Sequence, residues 1–166
     1  IGGSKISTKI NVITNLITKV NNLIIVGAMA NNFFLYNNLK IGKSLIEENT
    51  NKVIKDIYKK AALNNCEILI PKDCIVGTDF DGSGINKNLN EILDNEIILD
   101  IGKNTIKNIQ KTIDESNTVL WNGPAGYFEN PNFANGSIKI ARKIIENNKS
   151  NKIFSVVGGG DTVSLL

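Results

Sequence analysis

Late in the sequence, Gly158-Gly159-Gly160-Asp161-Thr162 follows the apolar run Ile153-Phe154-Ser155-Val156-Val157 and leads into Val163-Ser164-Leu165-Leu166. That order predicts a strand, a glycine turn and the start of a helix. Such a turn suits an anion, because glycine has no Cβ to hold the backbone away and the free N–H groups of a helix start carry roughly half a positive charge. A carboxylate beside a phosphate repels it unless a cation stands between them. Asp161 therefore points to Mg²⁺ arriving with a nucleotide. The same residues also suit a tight turn in which Asp161 caps the helix.

Near the other end, Gly2-Gly3-Ser4-Lys5 and Lys9 place two lysines four residues apart directly after a glycine pair. On a helix they would share one face and repel by a few tenths of a kcal/mol, a cost that a bound anion offsets and that a solvated surface also tolerates. Between these ends lies the loop Trp121-Asn122-Gly123-Pro124-Ala125-Gly126-Tyr127-Phe128-Glu129. Its glycines allow sharp turns and Pro124 stiffens it. Glu129 is either a solvated acid or the acceptor for two adjacent hydroxyls, as on a ribose. Trp121 is read as core. Ala28, within Ala28-Met29-Ala30, suits both close helix packing and a flat slot for a base.

The elements that must position these residues are short apolar runs alternating with helix-period segments. Residues 23–26, 67–70, 97–99, 118–121 and 153–157 read as buried strands, and residues 7–20, 51–63, 105–113 and 133–147 as amphipathic helices. The alternation predicts an α/β fold: a doubly wound parallel sheet, Rossmann-like, in three layers with helices on both faces. Ligands bind such sheets at the carboxyl ends of the strands. The glycine-bearing turns after Val26, Leu99, Trp121 and Val157 would all fall on that rim. Residues 76–95 are polar and weakly periodic and read as a surface excursion.

At 166 residues and 42% hydrophobic, the sequence suffices for one core burying roughly two thirds of its unfolded surface. Its net charge of +3 is spread out, with no basic run or aromatic platform, so nucleic acid is not an expected partner. No apolar run reaches the roughly 18 residues of a membrane span, and a cytoplasmic setting is the expectation. With no histidine, Ser-His and Cys-His hydrolase schemes are excluded. Cys66 and Cys74 read as small buried hydrophobes at two strand starts, not as reactive thiols. Phosphoryl transfer fits what remains, because it rests on positioning and charge neutralisation. The abundance of Asn, Lys and Ile is read as compositional bias.

Taken together, Gly2-Gly3-Ser4-Lys5 with Lys9, Gly27-Ala28-Met29-Ala30-Asn31, Ile41-Gly42-Lys43-Ser44-Leu45, Leu99-Asp100-Ile101-Gly102, the Trp121 loop and Gly-Gly-Gly-Asp-Thr make the sequence resemble the phosphoglycerate kinase family. The resemblance is to its C-terminal, nucleotide-binding domain and spans residues 1–166. It implies reversible, Mg²⁺-dependent, in-line transfer between 3-phosphoglycerate plus ATP and 1,3-bisphosphoglycerate plus ADP. By matching position, Lys5, Gly159 and Gly160 would serve the transferring phosphoryl, with Lys9 reaching the α-phosphate and Asn122 the terminal one. Thr162 and its neighbours would cradle phosphate, Asp161 would hold Mg²⁺, and Glu129 would bond the ribose. Gly27, Ala28, Leu45, Gly102, Pro124 and Tyr127 would line the purine slot.

The sequence departs from the family pattern at Val26 and Ala28, where glycines are common, at Tyr127, usually a small aliphatic residue, and at Lys103, usually proline. The family's N-terminal, phosphoglycerate-binding domain has no counterpart in these residues. An isolated ADP/ATP-binding module without catalysis of its own is therefore the alternative reading. In either case a monomer is expected. A nicotinamide-binding domain is disfavoured, since no Gly-x-Gly-x-x-Gly follows the first strand.

Overall fold

A computed structural model describes residues 1–165; Leu166, expected in the closing helix, lies outside the described residues. Helix α1 (Ile10–Leu16) leads to β1 (Asn22–Ile24), α2 (Met29–Tyr36) and α3 (Asn51–Leu63). Strands β2 (Glu67–Leu69), β3 (Asp73–Gly77), β4 (Ile85–Asn88) and β5 (Ile97–Ile101) follow. Helix α4 (Lys103–Asp114), β6 (Thr118–Asn122), α5 (Asn135–Lys149), β7 (Phe154–Gly158) and the short α6 (Gly160–Val163) complete the order.

Two parallel pairs form the body of the sheet, β1 with β2 and β6 with β7. Residues 1 and 2 bridge them. Val26 N–H donates to Ile1 O (2.9 Å) on one side, and Gly2 N–H donates to Asn122 O (2.8 Å) on the other. Side chains along the first strand alternate between two cores. Leu23 and Ile25 join α1, α2 and α3 through Ile13, Phe33 and Ile57, whereas Ile24 and Val26 join α4 and α5 through Ile109 and Ile140. Period-two alternation with a helical core on each face is the three-layer arrangement expected for the doubly wound class.

The helices form where apolar spacing provides a face: Ile106, Ile109 and Ile113 on α4, Ile54, Ile57 and Ala61 on α3. Asn38, Asn65 and Asn151, each with φ between 52° and 60°, sit just beyond the ends of α2, α3 and α5. Asparagine tolerates the left-handed conformation that ends a helix, so part of the asparagine abundance has a structural use.

Three local expectations change. Residues 76–95 are not a plain excursion, because β3 and β4 form an antiparallel hairpin and β5 pairs antiparallel with β3. Helix α1 starts at Ile10 and not at Ser7, so Lys5 and Lys9 lie on the turn that enters it and share no helix face. Helix α2, which the sequence reading did not place, follows the Gly27 turn and buries Met29, Phe33 and Phe34.

Candidate functional site

A cavity of about 300 Å³ opens at the rim where the two parallel pairs meet. Gly27 and Ala28 from the turn after β1, Leu45, residues 97–101 and residues 124–129 line it, with Gly3, Ser4 and Asp161 at its border. Three glycine turns make the rim by packing backbone on backbone. Gly123, at φ 94°, leaves only 2.2 Å between a would-be Cβ and Gly2 O, and Gly27, at φ 72°, leaves 2.7 Å to Gly3 N. Met29 N–H donates to Gly3 O (3.0 Å) and Gly27 N–H to Ala125 O (3.1 Å). These turns thus serve loop-to-loop contact, a use beyond the sharp turning expected of Gly123 from sequence.

Beside the cavity the polar residues converge. Lys9 Nζ donates to Asn122 Oδ1. Thr162 Oγ1 accepts from Gly123 N–H at 2.6 Å, tying the α6 start to the loop after β6. Gly159, at φ 93°, sits where an added Cβ would lie 3.3 Å from Thr162 Oγ1 and 3.4 Å from Asn122 Nδ2, while Gly160 has no heavy atom within 4 Å of that position. Gly159, Gly160 and Asp161 are exposed, so their backbone faces open space beside Lys9. A primary ammonium, an amide and unshielded backbone around one opening form a set able to hold phosphate oxygens.

Five of the expected base and ribose residues line the cavity together: Gly27, Ala28, Leu45, Pro124 and Tyr127, with Glu129 exposed at its edge. Gly102 is not among the lining residues. It stands at the start of α4, where its N–H donates to Asp73 O (2.8 Å) and a Cβ would meet the Asp73 carboxylate at 2.3 Å. The strand runs on to Ile101, so the turn after Leu99 lies further along than the sequence reading placed it. Lys5 is exposed and apart from the Lys9–Asn122 contact. Its charge is the weakest of the influences on Glu47, whose carboxyl is held low first by hydrogen bonds from Ser7.

Two acids escaped the sequence reading. Asp73 is buried and caps α4, accepting from Asn104 N–H (2.9 Å), Thr105 N–H (2.8 Å) and Thr105 Oγ1 (2.7 Å). Burial pushes its carboxyl up, and these donors outweigh that and hold it below the usual range. Asp100 lines the cavity with 2% exposure and takes Gly136 N–H (2.7 Å) and Ile101 N–H (2.8 Å). Here burial wins over the two hydrogen bonds and raises the carboxyl to about 7. Nothing in the local sequence spacing of Asp100 distinguishes a buried acid from a solvated one. Cys74, also on the cavity wall, is buried, and burial together with the charges of Asp73 and Asp100 raises its thiol, which makes it inert as a nucleophile. Trp121 is core, as expected, with Nε1 donating to Gly123 O (2.9 Å).

Among the described residues no group of three or more acids, cysteines and histidines could hold a metal ion. A cation here would depend on Asp161 and on oxygens brought by a ligand. That is how Mg²⁺ usually binds, through one or two carboxylates plus substrate phosphates, so the exposed Asp161 carboxylate fits such an ion.

An open α/β sheet with helices on both faces and a cavity at its rim defines a doubly wound domain, and comparison with known proteins makes it specific. A family model described as phosphoglycerate kinase matches residues 1–166, and the chain belongs to the phosphoglycerate kinase family. It is 44% identical over 167 residues to the phosphoglycerate kinase of Wolbachia pipientis subsp. Culex pipiens (strain wPip) and 39% identical over 168 residues to that of Bartonella tribocorum. In each case all of this chain is covered but 42% of the relative, so the chain spans less than half the length of these curated relatives. The phosphoglycerate kinase structure from Coxiella burnetii matches with a TM-score of 0.94 and 36% identity, over 100% of this chain and 42% of that one. That from Pyrococcus horikoshii OT3, at 24% identity and a TM-score of 0.77, shares the fold over 99% of this chain and 42% of its own.

Proposed function

We propose that this chain is the nucleotide-holding part of a phosphoglycerate kinase, acting in Mg²⁺-dependent transfer between 3-phosphoglycerate plus ATP and 1,3-bisphosphoglycerate plus ADP. The observation that carries the reading is the meeting of Lys9, Asn122, Gly159 and Thr162 beside a cavity walled by Ala28, Leu45, Pro124 and Tyr127. A charged anion-binding set next to an apolar slot is the shape of a nucleotide, with phosphates at one end and base at the other.

In-line phosphoryl transfer needs little covalent help from protein, and its demands are positioning and charge neutralisation. Lys9 and Asn122 would hold phosphate oxygens, while the backbone at Gly159, Gly160 and Thr162 would cradle the group in transfer. Lys5, exposed on a four-carbon stem, would supply a further positive charge to the transferring phosphoryl. Glu129 would take the ribose hydroxyls. Asp161 would hold Mg²⁺, which neutralises phosphate charge when bound. Gly102 would act at one remove, through the α4 start that it shares with Asp73. The setting that goes with this reading is a cytoplasmic monomer working on ADP and ATP, without nucleic acid or membrane; no described helix is long and apolar enough to cross one.

A second reading is an ADP/ATP-binding module that does not catalyse by itself. The two share one test at the level of binding. Titration calorimetry of the 166-residue chain should give tighter binding of Mg·ADP than of NAD. Equal or better affinity for NAD would contradict both.

A further inference from the structure

Ser7 stands between Lys5 and Lys9 on the turn that enters α1, and its N–H finds an acceptor 40 residues away, in the Glu47 carboxylate (Oε2, 3.1 Å). The neighbouring Ile6 is fully buried in the core with Ile13 and Phe33. One side of the turn is therefore anchored by packing and the other by this carboxylate. Within the turn, Lys9 N–H donates to Ile6 O (2.9 Å) and Thr8 Oγ1 donates to Lys5 O (2.9 Å). The backbone of both lysines thus belongs to one small bonded unit, and whatever holds Ser7 holds them too.

Glu47 is itself fixed. Asn32, on α2 with 2% exposure, donates from Nδ2 to Glu47 O (2.6 Å) and accepts Glu47 N–H at Oδ1 (3.1 Å). A buried amide must keep its partners, since leaving them unpaired costs desolvation, so these two bonds set the course of the backbone at Glu47. Ile98 N–H donating to Ser44 Oγ (2.8 Å) ties the same loop to β5. On the nucleotide reading of this rim, we propose that Glu47, anchored by Asn32, is a positioning residue for Lys5 and Lys9. It pins the Ser7 turn so that the two ammonium groups stand at the phosphate end before a ligand arrives. Glu47 itself touches no substrate. Its negative charge acts against phosphate through space, whereas its hold on Ser7 acts for phosphate through the backbone. The two effects have opposite signs and can be told apart.

Calorimetric titration of the 166-residue chain and its variants with Mg·tripolyphosphate, Mg·ADP and adenosine tests the brace. Glu47→Ala should weaken tripolyphosphate and ADP by about threefold to tenfold, the cost of ordering one long side chain, and leave adenosine within about twofold. Glu47→Gln, which loses the charge but keeps an acceptor for Ser7, should bind both phosphate ligands at least as tightly as the unsubstituted chain. Amide hydrogen exchange reads the contact with no ligand present. The Ser7 N–H should exchange faster by about threefold or more in Glu47→Ala than in Glu47→Gln. Unchanged or tighter tripolyphosphate binding in Glu47→Ala overturns the proposal. So does a loss in Glu47→Gln equal to that in Glu47→Ala, a loss shared equally by adenosine, or equal Ser7 exchange in the two variants. Failure of the unsubstituted chain to bind either phosphate ligand overturns the nucleotide reading itself, and the role of Glu47 with it.

Discussion

Lys9 and Asn122, separated by 113 positions in sequence, are joined by a hydrogen bond from the lysine Nζ to the amide Oδ1. The contact holds the ammonium over the loop that follows β6, beside the open backbone of Gly159 and Gly160. An aliphatic chain with four rotatable bonds is costly to order, so holding it before a ligand arrives lowers what binding must supply. Lys9→Ala should weaken ADP binding by about 1.5–3 kcal/mol, the range for a charge-assisted hydrogen bond, and should hardly affect adenosine. Calorimetry with both ligands checks it, and equal losses for the two would contradict a phosphate role for Lys9.

Asp161 and Glu129 are assigned to different parts of the ligand, and their substitutions should separate. Asp161→Ala should weaken ADP binding when Mg²⁺ is present, and should leave it unchanged or improved once the metal is chelated, because a bare carboxylate repels phosphate. Glu129→Ala should lower adenosine and ADP affinity alike and leave a 2′,3′-dideoxy nucleotide nearly insensitive. Titrations with and without chelator, on both nucleotide types, read the two effects in one set.

The glycine turns should sort by what surrounds them. Gly123→Ala forces φ 94° on alanine and drives a Cβ to 2.2 Å from Gly2 O, so it should destabilise the fold by at least about 1–3 kcal/mol in urea unfolding. Gly160→Ala places its Cβ in open space and should stay within about 0.5 kcal/mol of the parent in the same measurement. Comparable losses at both positions would mean that the rim is not built by backbone contact at Gly123.

Much of this rim could be read from residue order, and what could not has a physical reason. The strands around Leu23, Trp121 and Val157 announce themselves because sheets covered on both faces need continuous apolar runs. Helix α2 escaped because two of its buried positions are Asn31 and Asn32. Asn31 Nδ2 donates to Leu45 O (2.9 Å), and Asn32 Nδ2 donates to Thr50 Oγ1 (2.9 Å), partners 14 and 18 residues away that no local window contains. The β3–β4 hairpin escaped for a similar reason. Its polar residues are satisfied at long range, with Asn86 Nδ2 on Asp73 (3.1 Å) and Lys87 paired with Glu96 (2.7 Å). Phe80 was missed with it, since a phenylalanine inside Asp79-Phe80-Asp81-Gly82 gives no sign of facing a cavity. The site residues named from family resemblance fall mostly on the rim; Gly102 does not, because a carboxylate remote in sequence claims the space beside it.

Asp100 should make stability depend on pH. Its ordinary value of 3.8 is raised to about 7 by burial, so the folded state holds its proton over a range in which the unfolded chain has released it. The folded state therefore binds more protons between those values, and Asp100 acting alone makes stability fall as pH rises through that window, by on the order of 4 kcal/mol. Below about 4 the contribution is fully present, and above about 7 its loss is complete. Asp73, held low instead, changes only at more acid pH. The buried Ile1 amine, lowered to about 5 chiefly by burial, acts in the opposite sense above that pH, so the decline is read as the difference between the chain and Asp100→Asn in urea unfolding from pH 4 to pH 8. A decline of equal steepness in Asp100→Asn would place its origin elsewhere.

Phosphate and base should sit at opposite ends of one rim. Amide chemical shifts of the ¹⁵N-labelled chain, followed during titration with Mg·ADP and then with adenosine, test it most directly. Mg·ADP should move the amides of Lys9, Asn122, Gly159, Gly160 and Thr162 together with those of Ala28, Leu45, Tyr127 and Glu129, and adenosine should move only the second group. Shifts confined to surfaces away from this rim, or identical patterns from the two ligands, would contradict the account.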